Sequence, residues 1–294
     1  LEHAECRFGE PLAHHTSFQV GGPADLWVCV NTRAGLQQAL DYCACEGVPW
    51  ILLGGGTNVL VRDGGVRGVV LTLRQELATY RFAGNTVTAG AGAALSALAR
   101  DAAARGLAGL EFACGIPGSV GGAVVMNAGA YHGQLSDVVA WVTVTGPGHQ
   151  LRRLDRDQLE FGYRWSSLQE QPAVVLEVGC ELRPGDPAAL EAVMADLDTR
   201  RREKQPVDLP SAGSIFKRPP GHYASRLIEE AGYKGRRRGG AQVSPLHAGF
   251  IVNTGGATAR DVLGLMEEVQ AAVYALSGIM LEPEIKIIGE EWDE

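Results

Sequence analysis

Apolar residues recur along this chain at two periods, and each change of period marks an element. Over residues 31–47, Leu36, Ala39, Leu40 and Cys43 share one helical face and Gly47 follows as a stop. The same spacing predicts helices over 95–105, 223–231 and 258–276, ended by Gly106, Gly232 and Gly278. The third of these carries the most regular stripe: Val262, Leu265, Met266, Val269 and Val273. Asp186-Pro187 opens a further helix as N-cap and first turn, striped by Leu190, Val193, Met194 and Leu197. Its C-terminal end carries Arg200, Arg201 and Arg202, where the helix dipole favours cations. Period-two patterns predict strands over 139–145 and 174–182, the second with Val174, Leu176, Val178, Cys180 and Leu182 on one face. A last strand is expected over 284–288, and residues 206–210, bounded by two prolines, read as a linker.

Two glycine-dense, uncharged stretches interrupt this pattern: LGGGTNVLV over 53–61 and LEFACGIPGSVGGAVVMNAGAY over 110–131. Such composition suits places where backbone N–H groups must close on a bulky anion with no side chains in the way. Two of them suggest an extended ligand held at two points, a dinucleotide rather than a lone phosphate. The first lies between apolar runs, 49–53 and 59–61, so it reads as strand, glycine turn, strand. A Rossmann or P-loop site needs a helix after the turn and a G-x-G-x-x-G or G-K-[ST] pattern. Neither is present.

With 294 residues and 46% hydrophobic content, the chain can bury a sizeable core in two or three lobes. A net charge of −8 argues against a general nucleic-acid surface. No apolar run is long enough for a membrane span, and the N-terminal LEHAECRFGEPL has no signal-peptide character, so a cytoplasmic protein is expected. Six cysteines without C-x-x-C spacing read as free thiols, and no histidine pattern suggests a metal site.

Further local sequences hold candidate chemistry: HTSFQVGGPAD from His15, YRWS from Tyr163, AGSIFKRP from Ala212, AQVSPLHAGFIVN from Ala241 and LEPEIKIIG from Leu281. Singly, Arg164 could be a surface ion-pair residue, Ser214 a turn residue and Glu284 a solvated strand end. Together with the two glycine stretches, in this order, they make the chain resemble the UDP-N-acetylenolpyruvoylglucosamine reductases nearly end to end. The resemblance implies an α+β fold of the vanillyl-alcohol-oxidase type, with two α+β lobes for FAD and a C-terminal α+β substrate lobe. The expected boundaries are 1–79 joined by 280–294 for the first lobe, 80–205 for the second and 206–279 for the third.

The implied activity is NADPH-dependent reduction of UDP-N-acetylglucosamine enolpyruvate to UDP-N-acetylmuramate through bound FAD, in peptidoglycan precursor synthesis. The alternative is an FAD-dependent alcohol or sugar oxidase of the same fold, and a non-catalytic nucleotide-binding protein is a third reading. The resemblance places Gly54, Gly55, Gly56, Thr57, Asn58, Gly115, Ile116, Pro117, Gly118, Ser119, Gly121, Gly122, Gly129 and Ala130 on the cofactor. For individual glycines, tight packing is an equal alternative. Tyr131, Lys217, Arg218, Gln242 and Asn253 fall to the substrate, and the expected partners are these small molecules alone, with the protein a monomer.

Arg164, Ser214 and Glu284 match the family's three active-site positions. Hydride delivery to the vinyl carbon of an enolpyruvyl ether spreads negative charge onto the carboxylate, and the adjacent carbon must then be protonated. A planar guanidinium suits the first task, and Ser214 would donate the proton. Glu284 would polarise the same carboxylate, which requires it to carry or share a proton. Lys217 is either a nearby positive charge for Ser214 or a phosphate clamp. The basic run Lys234, Arg236, Arg237, Arg238 either binds phosphates or is a solvated loop. His247 reads as a structural hydrogen bonder. His132 and Gln134 stand where the pattern leads us to expect glycine and an acid, and the short 164–214 interval matches the subtype without the inserted tyrosine-bearing segment.

Overall fold

The computed structural model describes residues 4–145, 150–171 and 173–291; the ends of the first expected lobe, 1–3 and 292–294, lie outside it. The helices form where capping and periodicity agree. Thr32 accepts the Gly35 N–H at 3.0 Å and so caps α1 (Arg33–Glu46), which Gly47 ends in the left-handed conformation. The others are α2 (Leu95–Ala104), α3 (Val120–Val125), α4 (Pro187–Lys204), α5 (Ala224–Glu230) and α6 (Ala259–Ser277). α6 starts with a full capping box, Thr258 with Asp261, and ends at Gly278. The expected turn between strands is present, with Trp50–Leu52 before the first glycine stretch and Val59–Val61 after it.

The chain divides into two compact units, Leu1–Cys6, Val28–Gly55 and Leu71–Arg200 in one, Arg7–Trp27, Gly56–Val70 and Arg201–Glu294 in the other. The first unit is built on a five-stranded antiparallel sheet, in the order Arg152–Asp155, Val139–Thr145, Val174–Glu181, Thr86–Gly90, Tyr80–Ala83. Its central strand, Val174–Glu181, is buried on both faces: Val175 is 3% exposed, and a Cβ on Gly179 would lie 2.1 Å from the Trp141 ring. The strict in-and-out alternation expected there is therefore overridden by packing. α4 also departs from its pattern. Leu190 and Met194 are buried, whereas Val193 is 47% exposed.

The second unit holds a four-stranded antiparallel sheet, Ser211–Ser214, Phe250–Asn253, Ala241–Val243, Arg237–Arg238, with α6 packed on it. The stripe of α6 is buried throughout, with Val262, Leu265 and Val273 at 0% exposure beside Phe18, Ile215 and Ile251. Lys286–Ile288 pairs in parallel with Val59–Val61 and so joins the chain's last strand to the strand that follows the first glycine stretch.

Leu265→Ala removes a side chain with no exposed surface and should lower the unfolding free energy by about 2–5 kcal/mol. Urea unfolding measures it; a loss under about 1 kcal/mol would show that α6 is not the core element described.

Candidate active site

In the first unit, Gly54 and Gly55 leave the strand Trp50–Leu52 and run directly against the second glycine stretch. A Cβ on Gly55 would lie 2.6 Å from Gly118 Cα, and one on Gly54 would lie 2.6 Å from Ser119 Oγ and 3.9 Å from Gly122 Cα. Gly118 itself has φ +120°, a conformation open to glycine alone. Gly54, Gly55 and Gly122 are exposed. The N–H groups of Gly54, Gly55 and Gly118 donate no hydrogen bond to any described residue. This is an uncharged wall with unspent backbone donors and no side chains, which fits the diphosphate of a dinucleotide cofactor such as FAD.

Other glycines serve packing. A Cβ on Gly121 would lie 2.7 Å from Ala91 Cβ, and one on Gly129 would lie 2.6 Å from the Gly133 carbonyl. Ser119 caps α3 by accepting the Gly122 N–H at 3.3 Å. Gly115 and Ile116 are half-buried, and the Ile116 N–H is spent on the Ala113 carbonyl at 3.0 Å. Pro117 is exposed and Ala130 half-buried. Burial and the neighbouring Asp198 push the Cys114 thiol up to about 11, so it stays protonated beside the loop. A separate cavity of about 850 Å³ in the same unit is lined by Glu111, Tyr131, Arg156, Arg183 and Leu190.

Arg164 occupies the second corner of a tight turn. Gly162 and Trp165 exchange backbone hydrogen bonds at 2.9 and 3.3 Å, and Arg164 has φ +54°, where glycine is the usual occupant. Its guanidinium carbon lies 5.1 Å from the Tyr163 ring centroid. Three side chains fasten this turn to the end of α3. Asn127 Nδ2 donates to the Gly162 carbonyl at 2.8 Å, Ser166 Oγ to the Val125 carbonyl at 2.8 Å, and Gln169 Nε2 to the Val125 and Arg164 carbonyls at 2.9 and 3.1 Å. None of the three holds a role in the motif reading.

In the second unit, Gly56 is pressed onto the His15 carbonyl, which a Cβ would approach to 2.0 Å, and the Gly56 carbonyl accepts the Ser17 N–H at 3.0 Å. The HTSFQ segment thus seats the downstream half of the first glycine stretch, with Thr57 half-buried. Asn58 continues that stretch: its Nδ2 donates to the Glu284 carbonyl at 3.3 Å, and its own carbonyl accepts the Lys286 N–H at 2.9 Å. Glu284 N–H in turn donates to the Ile215 carbonyl at 2.8 Å, and Phe216 pairs with Pro283. Backbone pairing therefore brings Asn58, Glu284 and the Ser214-Ile215 corner into one frame. Ser214 is half-buried, and its hydroxyl has no hydrogen-bond partner among the described residues.

The remaining polar residues of this unit are largely engaged. Lys217 pairs with Glu282, and Arg218 lies 4.0 Å from the Tyr223 ring centroid. Gln242 donates to the Gly235 carbonyl at 3.0 Å and accepts from Arg237 at 3.2 Å. Asn253 donates to the Phe18 and Gln19 carbonyls and accepts from the Gly255 and Ala257 N–H groups, so its amide is saturated. In the basic run, Lys234 pairs with Glu229 at 2.9 Å and Arg238 with Glu268 at 2.7 Å, at the surface. His247 Nδ1 accepts the Gly249 N–H at 3.1 Å, which makes it a structural hydrogen bonder.

An FAD binding domain family model matches residues 24–155, and the model of the UDP-N-acetylenolpyruvoylglucosamine reductase C-terminal domain matches 205–288. The UDP-N-acetylenolpyruvoylglucosamine reductase of Levilactobacillus brevis is 50% identical over 282 residues, covering 96% of this chain and 92% of that one. That of Heliobacterium modesticaldum is 49% identical, with 96% and 90% covered. The crystal structure of the reductase from Thermus caldophilus superposes with a TM-score of 0.85 at 38% identity, covering 97% of this chain and 99% of that one. The chain belongs to the UDP-N-acetylenolpyruvoylglucosamine reductase family.

It is accordingly an FAD-dependent oxidoreductase with the α+β fold that the resemblance implies. One departure from the expected pattern also has a geometric meaning. His132, where glycine is expected, has φ +71° and follows Tyr131 at φ +50°, so this reductase holds two consecutive left-handed residues there.

Two outcomes follow. Gly55→Ala should weaken FAD binding at least about tenfold, or 1.4 kcal/mol, because the added carbon meets Gly118 backbone; flavin retained per chain on gel filtration reads it, and native retention would contradict the wall described. Burial holds the His247 imidazole below its ordinary range, so on acidification the unfolded chain takes up the proton first. Stability from this residue is then complete above about pH 6.5 and lost as pH falls toward its lowered folded value. His247→Gln should flatten that part of the stability–pH curve, and an unchanged slope would contradict it.

Proposed function

We propose that this chain reduces UDP-N-acetylglucosamine enolpyruvate to UDP-N-acetylmuramate with NADPH, as a cytoplasmic monomer, and that Arg164, Ser214 and Glu284 carry the chemistry. The observation that supports the roles best is the frame around Glu284: its N–H on the Ile215 carbonyl at 2.8 Å and its carbonyl on Asn58 at 3.3 Å. It sets an acid and a free hydroxyl beside the residues that continue a glycine stretch suited to a cofactor.

Gly54, Gly55 and Gly118 would hold FAD through their unspent N–H groups, with Gly115, Ile116, Pro117, Ser119, Gly121, Gly122, Gly129 and Ala130 shaping that wall, while Gly56, Thr57 and Asn58 are cofactor residues by the family resemblance alone. Bound FAD would supply the two-electron redox chemistry that links NADPH to the vinyl carbon. The residues of the chain handle the charge and the proton. As hydride adds to the terminal carbon, the π electrons move toward the carbon bearing the carboxylate. The Arg164 guanidinium stabilises the charge that collects on the carboxylate oxygens. Glu284, in its protonated form, donates to the same group. The Ser214 hydroxyl gives its proton to the adjacent carbon, forming the second C–H bond and completing the lactyl ether. A cationic neighbour or a relay must stabilise the serine alkoxide until a proton returns to it from solvent. Lys217, three residues on, is paired with Glu282 and suits a phosphate contact as well as that task. Tyr131 and Arg218 are further substrate contacts, while Gln242 and Asn253 shape the lobe that receives it.

The test is a double-mixing experiment without oxygen. NADPH should bleach the bound flavin, and the enolpyruvyl sugar nucleotide should then restore its colour. Ser214→Ala should leave the bleaching step near its native rate and slow recovery by roughly 100-fold or more. Equal damage to both steps would make Ser214 structural. Recovery with oxygen alone, at a catalytic rate and without the sugar nucleotide, would favour the oxidase reading.

A further inference from the structure

Arg164 is held in a backbone conformation that its own side chain disfavours, and the groups that hold it there are specific. Asn127 is 1% exposed and uses its whole amide: Nδ2 donates to the Gly162 carbonyl at 2.8 Å and to Gln134 Oε1 at 3.3 Å, while Oδ1 accepts the Ser136 N–H at 3.0 Å. The Ser136 N–H fixes which end of the amide is oxygen. Gln169 spends both Nε2 hydrogens, one on Val125 and one on the Arg164 carbonyl itself. Val125 and Asn127 lie at the end of α3, the helix that Ser119 starts at the second glycine stretch. The turn and the glycine wall are therefore parts of one hydrogen-bonded body within the first unit.

We propose that Gln169 and Asn127 are positioning residues for Arg164: they fix the Gly162–Trp165 turn to the end of α3, so that the guanidinium has one stance relative to the glycine wall. The proposal rests on the role of Arg164 proposed above. A substrate carboxylate is recognised by a planar fork only at a set angle, and a misplacement of about 1 Å costs up to roughly 100-fold in rate. A free turn would relax Arg164 out of φ +54° toward the ordinary right-handed or extended regions, and the fork would swing with it.

The test uses the FAD-loaded enzyme and two isosteric variants. Gln169→Glu keeps the shape and loses both donated hydrogens; Asn127→Asp keeps the acceptor for Ser136 and loses the donor to Gly162. In each, amide exchange at Trp165 should quicken while that of the Val174–Glu181 strand stays native, so the fold is intact. FAD content and reduction by NADPH should be near native. The limiting rate of reoxidation by the enolpyruvyl sugar nucleotide should fall by roughly 10–100-fold, and Gln169→Glu should add nothing in an Arg164→Ala background. Unchanged exchange at Trp165, equal slowing of both half-reactions, or full additivity with Arg164→Ala would each overturn the positioning claim. A native reoxidation rate for Arg164→Ala would instead overturn the role of Arg164, and the positioning claim with it, so the two failures are told apart by that single variant.

Discussion

At Gly55 the backbone lies so close to Gly118 that any side chain would separate them, and this backbone contact organises the glycine wall of the first unit. It fixes two segments from distant parts of the chain at one distance. It leaves N–H donors without partners, which in a buried loop would be costly and here face an open surface. It also decides where α3 begins, because Ser119 both touches Gly54 and caps the helix. The end of that helix then anchors the turn that carries Arg164. A steric requirement at one glycine is passed, by short rigid elements, to the placement of a charge.

The turn itself shows how strain is held. A non-glycine residue at positive φ costs on the order of 1–3 kcal/mol. Hydrogen bonds from Asn127, Ser166 and Gln169, each contributing about 1 kcal/mol, offset that cost. The second unit solves the same problem by another route. There, Glu284 and Ser214 are set by strand-like pairing, with Asn58 inserted as a side-chain link. Polar residues such as Asn253 are saturated inside that frame and give it rigidity.

Much of this was legible in the sequence, and the exceptions have physical causes. α1 and α6 were read to within a residue or two because stripe, N-cap and closing glycine agree. The strand Ala4–Pro11 gave no signal, since it is exposed along most of its length, Phe8 included, and carries no alternation. The stripe of α4 promised more burial than Val193 receives. At the site, glycine density marked both stretches, but could not separate Gly55, which leaves donors free, from Gly121, which packs on Ala91. Asn127 and Gln169 were given no role, because each acts only through side-chain hydrogen bonds that hold the backbone of another segment. The only hint was an asparagine inside a run of small residues, and that pattern more often means a turn.

The most direct test of the account is a crystal structure of the chain with FAD bound. Diphosphate oxygens within about 3.2 Å of the Gly54, Gly55 and Gly118 nitrogens are the predicted result. A diphosphate held elsewhere, for instance by Arg156 and Arg183 in the separate cavity of the first unit, with those three N–H groups left to solvent, would contradict it.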